Sequence, residues 1–398
     1  MDVLSRILAR SGLLSLLVLT MACDKAQVDA VTLPAAGAPA VMFPPPSNPL
    51  PADSGAFHTA GAQIVDASGN AVHLVGINWF GLETGNYALH GLWTRSLESF
   101  LDQIAALGFN SIRVPFSNQL FDAASTPNSI DFNKNPELEG LTGLEILDRL
   151  IDQARARDLR VILDRHHPDA SAPSALWYSA RYDEQRWIDD WVILAQRYQG
   201  DPTVIGFELH DGPSDPSTWG DNSANDWRAA AERAGNAILA VNSGLLIFVP
   251  GIETVGQIAA FGGENLSAAR QDPVTLAVAH RVVYTAHDFS ASVAHQSWFD
   301  AADYPQNLAA TWDSLWGYLA RDAIAPVYLS AFGTRLDTAA DRQWLTTLVD
   351  YLKARDLGFA FWCLNPNSGD TGGLLLDDWQ TVDKQKLDAL VPLITPAQ

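Results

Sequence analysis

Apolar and β-branched residues fall in short runs along the chain, at 74–78, 111–116, 160–166, 205–210, 245–250, 282–288, 327–332 and 358–365. Between the runs, apolar positions recur at helical spacing. Phe100, Ile104 and Leu107 share one face; Leu144, Leu147, Ile151 and Ala154 share another; Trp187, Trp191, Leu194 and Tyr198 form a third. Eight strands alternating with helices predict an α/β fold, a single (β/α)8 TIM barrel. A doubly wound open sheet is the competing arrangement, and no Gly-rich phosphate loop supports it.

Polar residues gather at the C-terminal ends of these runs: Asn78, Arg113, His166, His210, Asp211, His287, Asp288 and Asn365. In a barrel those ends share one face, so the pattern predicts a single cleft there.

The first residues read differently. Arg6 and Arg10 precede the apolar run 13–19, and Thr20-Met21-Ala22-Cys23 follows. A charged start, a short apolar core and small residues predict a secretory signal over 1–23, since about seven apolar residues cannot span a bilayer. Its end resembles a lipobox, which would make Cys23 a lipidation site. Residues 24–54 are rich in Pro and Ala and predict an extended tether; 55–398 carry the barrel. The expected location is therefore the bacterial envelope, with a membrane-anchored lipoprotein facing the periplasm or exterior.

Composition changes the picture in two ways. A net charge of −21 argues against nucleic acid as a partner. The two cysteines, Cys23 and Cys363, provide neither a disulfide framework nor metal-site spacing, so no metal or other cofactor is expected.

Several stretches resemble glycoside hydrolase family 5 endoglucanases. They are Gly76-Ile77-Asn78-Trp79-Phe80-Gly81, His90-Gly91-Leu92-Trp93, Leu163-Asp164-Arg165-His166, Ala175-Leu176-Trp177-Tyr178, and the run from Asn365 to Gly373. The likeness implies that Arg113 braces the nucleophile, His166 contacts sugar hydroxyls and His287 sits beside the cleaved bond. Trp79 and Trp177 are expected sugar contacts, and Asp211 is expected to pair with Arg113 or touch a hydroxyl.

The chain departs from the family pattern elsewhere. Retaining enzymes need two carboxyl groups about 5 Å apart, an acid/base and a nucleophile. The family's Asn-Glu pair on the fourth strand reads Asp211-Gly212 here, and its seventh-strand Glu reads Ala331. Its Tyr near the nucleophile is Phe289, its eighth-strand stacking Trp is matched to Leu364, and a loop with paired Trp reads Ala260-Phe261-Gly262-Gly263. Glu208, four residues before Gly212, would lie about 13 Å down the strand, too deep to substitute.

The expectation is a catalytically inactive, cellulase-like pseudoenzyme with no catalytic residue. It would bind β-glucan or another polysaccharide, or serve an envelope protein of a polysaccharide system. Two alternatives stand beside it: an active or changed-mechanism β-glucan hydrolase using Asp211, Asp288 or a histidine, and a purely protein-binding scaffold.

Overall fold

The computed structural model describes residues 30–31, 56–170 and 173–395. The expected secretory signal, the expected lipidation site Cys23 and almost all of the expected tether lie outside them. Ala30–Val31 pairs antiparallel with Val382–Asp383. No helix of the described residues is long and apolar enough to cross a membrane.

The predicted barrel is present. Eight parallel strands close on themselves: β1 Val75–Asn78, β2 Ser111–Ser117, β3 Arg160–His167, β4 Val204–Glu208, β5 Leu246–Pro250, β6 Val282–Phe289, β7 Val327–Gly333 and β8 Gly358–Phe361. Closure comes from β8 against β1, with Phe359 opposite Val75 and Phe361 opposite Ile77. The strands are buried along nearly their whole length, which explains why they read as continuous apolar runs rather than alternating ones.

The helices are amphipathic and start where capping residues sit. Helix α1 (Leu97–Ala106) is capped by Ser96, α2 (Gly143–Arg155) by a Thr142–Glu145 capping box, and α3 (Glu184–Arg197) by Asp183. Their predicted stripes face inward: Phe100, Ile104, Leu147, Ile151, Trp187, Trp191 and Leu194 are all buried against the sheet. Helix α4 (Trp227–Val241) follows β4.

After β5 the alternation breaks. Among the described residues a small hairpin, Thr254–Val255 against Ile258–Ala259, stands where a helix would be. The next crossover is interrupted too, running as α5 (Leu308–Trp312), a π-turn and α6 (Tyr318–Arg321). Helices α7 (Ala339–Ala354) and α8 (Lys384–Ile394) complete the ring. A separate buried cluster joins Ile162, Phe248 and Tyr328 of the sheet to Phe57, Ile64, Val72 and Leu74, so the hairpin His58–Ala60/Gln63–Val65 packs against the strands.

Candidate active site

The C-terminal ends of the strands surround a cleft of about 550 Å³. His166 of β3, Asp211 and Gly212 after β4, His287 and Phe289 of β6, Ala331 of β7 and Trp362 after β8 all line it. Asp211, Gly212, His166, His287 and Ala331, which the sequence reading set at strand ends, thus share this one cleft.

Beneath the cleft lies a charge network built on Arg113, which is fully buried on β2. Its Nε donates to Glu208 Oε2 at 2.6 Å, Nη1 to Asn78 Oδ1 at 2.9 Å and Nη2 to Asp211 Oδ1 at 2.7 Å, while Asp164 Oδ2 lies 3.1 Å from Nη2. The expected Arg113–Asp211 pair is therefore formed. Arg113 braces these carboxylates, and position 331 offers it none.

Glu208 is fully buried below the cleft, at the depth the sequence reading gave it. Its Oε1 lies 3.7 Å from His287 Nε2, and Asp211 Oδ1 lies 3.6 Å from the same nitrogen. The two carboxylates therefore flank one imidazole. Thr285 and Ser330 hydroxyls also donate to Glu208 Oε1, at 2.9 and 2.8 Å.

These contacts set the charges. Burial opposes ionisation of Glu208, but Arg113 and His287 outweigh it and hold its carboxyl down at about 2. Burial likewise opposes charge on Asp211, yet His166, His287 and Arg113 hold it far below the usual carboxylate range. His166 donates from Nδ1 to Asp164 Oδ2 at 2.7 Å, with Asp211 Oδ1 at 3.4 Å. Burial would discharge the ring, but Asp211 and Asp164 raise it to about 9. The cleft thus presents an ionised Asp211, its side chain 22% exposed, beside a cationic His166.

Asp164, His166 and Asp211 also come within metal-ligand reach of one another, their atoms within 4.8 Å. Those atoms do not suit a metal ion. His166 Nδ1 is already the donor to Asp164, and the Arg113 guanidinium holds both aspartates. A cation placed there would meet a fixed positive charge.

Two expected sugar contacts are corrected. Trp79 is fully buried, donates from Nε1 to the His90 carbonyl at 3.0 Å and packs on Phe100. Trp177 is fully buried as well, with its Nε1 on Glu184 Oε2 at 2.8 Å and its ring against Tyr178 and Trp227. Both fill the layer between sheet and helices, where large aromatics bury most area. His210, Asp288 and Asn365 are structural too. His210 accepts from Arg165 at 2.8 Å, Asp288 from Trp344 Nε1 at 2.9 Å, and the Asn365 amide bridges the N–H and carbonyl of Phe80.

The match of the eighth-strand platform to Leu364 is corrected as well. Leu364 is fully buried, whereas Trp362, two residues earlier, lines the cleft. Its indole lies parallel to His166 at 5.4 Å between centroids and to Phe80 at 5.7 Å. From Phe80 the rings continue through His90 to Trp93, one of the exposed large hydrophobics of the described residues.

Gly212 has φ +58°, and a Cβ on it would meet the Gly262 carbonyl oxygen at 3.2 Å. Gly263 approaches from the other side; a Cβ there would lie 2.9 Å from Gly212 Cα. The loop 260–263 therefore sits directly on position 212.

Residues 65–368 match the family model described as cellulase, glycosyl hydrolase family 5. The chain belongs to this family. An endoglucanase of Paenibacillus polymyxa is 49% identical over 358 residues, covering 87% of this chain and 90% of that protein. The major extracellular endoglucanase of Xanthomonas campestris pv. campestris is 40% identical, covering 82% of this chain and 69% of its own length. The solved catalytic domain of that Xanthomonas enzyme superposes with a TM-score of 0.80 at 39% identity, covering 85% of this chain and 99% of that one. An endocellulase from Pyrococcus horikoshii, solved as a complex with cellotetraose, gives 0.81 at 35% identity, covering 86% and 99%.

These relatives correct the expectation that the chain is a pseudoenzyme and not an enzyme. Proteins matching the family 5 barrel along most of its length carry the name endoglucanase. Positions 212 and 331 hold no carboxylate. The step from there to no chemistry does not follow, because an ionised Asp211 and a charged His166 occupy the same cleft.

Proposed function

We propose that this chain is a β-glucan hydrolase of the endoglucanase type, working with a changed catalytic set in which Asp211 is the carboxylate that the charge network presents to the cleft. The observation that carries the reading is the 49% identity to an endoglucanase over 87% of the chain. The cleft chemistry is consistent with it. Glycoside hydrolysis passes through an oxocarbenium-like state. Asp211, kept ionised, offers negative charge to that state; His166 keeps a proton at neutral pH; Trp362 offers a flat apolar surface to a sugar ring. The Pyrococcus enzyme holds cellotetraose in forms with a glutamate replaced by alanine or a tyrosine by phenylalanine, so such a barrel keeps its sugar without those groups. The secretory pattern of residues 1–23 supports export, which would place the enzyme where polymeric glucan is met.

The test is release of reducing ends from soluble β-glucan and carboxymethylcellulose by purified protein, with calorimetry of cellotetraose alongside. Slow turnover is expected, since a site lacking members of a catalytic unit runs orders of magnitude below a complete one. Binding of cellotetraose with no release of reducing ends at any pH would overturn the hydrolase reading.

Restoring both glutamates, Gly212→Glu with Ala331→Glu, is expected to raise the rate less than the residue count suggests. At φ +58° any side chain is strained by about 1–3 kcal/mol, and a Cβ at position 212 would press on the 260–263 loop. A displacement of about 1 Å costs on the order of a hundredfold. The double variant should therefore melt earlier than the parent and fall short of about 1 s⁻¹, the low end of ordinary turnover. Ordinary cellulase rates would show that the loop yields freely.

A further inference from the structure

Lys386 lies on α8, outside the cleft, yet its side chain is almost completely buried. Lysine is seldom buried without a partner that repays its lost hydration. Here the partners are carbonyl oxygens: Nζ donates to Thr371 O at 2.7 Å and to Gly373 O at 2.9 Å. Both belong to the turn that follows β8 and supplies Asp370 and Thr371 to the cleft wall.

The turn is shaped around this ammonium. Gly372 adopts φ +59°, and a Cβ on it would stand 3.3 Å from Nζ; a Cβ on Gly373 would strike Asn365 at 2.4 Å. From the turn a short chain of hydrogen bonds leads into the cleft. The Thr371 and Ser368 hydroxyls are 2.9 Å apart, and Trp362 Nε1 donates to Ser368 Oγ at 3.3 Å. Trp362 is the ring stacked on His166.

We propose that Lys386 is a positioning residue for glucan binding, fixing the 365–373 turn and, through Thr371 and Ser368, the plane of the Trp362 indole. This rests on the reading of the cleft as a glucan site. Arg335 also donates to the Gly369 carbonyl, but from an exposed position at the outer edge of the turn. Lys386 holds the inner edge, next to the hydroxyls that reach the indole. A glucose ring on Trp362 would feel the tilt of that plane directly, although the lysine never touches sugar.

The experiment is calorimetric titration of the full chain with cellotetraose in four forms: parent, Lys386→Met, Trp362→Ala and the double variant. Lys386→Met should weaken binding about tenfold in the parent background, within what linked side chains transmit. In the Trp362→Ala background it should change nothing, because the ring through which it acts is gone. A lysine that merely stabilised the fold would lower affinity equally in both backgrounds, or not at all, and either result overturns the inference. If Lys386→Met does not fold, Ser368→Ala cuts the same chain next to the indole while leaving both carbonyl bonds of the lysine in place; it should reproduce the background dependence. If Trp362→Ala leaves cellotetraose affinity unchanged, the glucan reading of the cleft fails first and this inference falls with it.

Discussion

Replacing Arg113 with methionine is expected to unfold the barrel under conditions where the parent is folded. The guanidinium contacts Glu208, Asp164 and Asp211 at once, and the Glu208 and Asp164 side chains are fully buried. Removing one partner of a buried ion pair costs about 3–5 kcal/mol, against a total stability of about 5–15 kcal/mol. Urea unfolding at neutral pH reads the loss. The pH trend gives the signature. Glu208 is held down to about 2 from an ordinary 4.5, so its contribution in the parent is complete above 4.5 and is lost as pH falls through about 2. In the variant, burial of Glu208 is opposed by His287 but no longer by Arg113, so its carboxyl moves up from about 2 and less stability is gained as pH rises. A variant that keeps the parent's urea midpoint, or its pH trend, would show that the network stands without its guanidinium.

The barrel was legible because its signal is long and repeated. Eight apolar runs separated by helical stripes leave few arrangements, and the structure places a strand in every run. The helix absent after β5 was less legible, since a hairpin of two-residue strands has no periodicity to read. Strand ends were placed well as positions and less well as roles. A polar residue at a strand end looks the same in sequence whether it opens to the cleft, as Asp211 does, or closes on Arg165, as His210 does.

The aromatic residues show the limit more sharply. Trp79, Trp177 and Trp362 are the same residue type, yet two fill the core and one forms the cleft wall. What separates them is which way the chain turns after the strand. β8 ends at Phe361, so Trp362 projects from the rim while Leu364 turns back into the core. Strand period alone cannot follow the chain past the last ladder bond. Glu208, Asp164 and Lys386 were passed over as functional for a related reason. Each acts through another residue, and sequence spacing carries no record of such indirect contacts.

Asp211→Asn is expected to reduce turnover on β-glucan by about 10²–10³, the range for removing one electrostatic group from a reacting centre. Asp211 is the carboxylate of the network that opens to the cleft, and His166, His287 and Arg113 hold it ionised. Because Asp211 titrates far below its ordinary range, the parent's rate should not fall as pH drops through the usual carboxylate values. A basic limb should appear instead near 9, where His166 loses the proton that Asp211 and Asp164 stabilise. The sign is fixed by linkage: a histidine raised from 6.5 keeps its charge, and the stability that charge brings, below 6.5, and loses both as pH rises through about 9. Asp211 is the largest influence raising His166, so in Asp211→Asn the residual activity should lose its basic limb at a lower pH than the parent. The pH profile therefore distinguishes a carboxylate that works with His166 from one that merely fills space. An Asn variant with parental rate, or with reduced rate and an unmoved basic limb, would remove Asp211 from the catalytic set and leave the hydrolase without a carboxylate in its cleft that the charge network holds ionised.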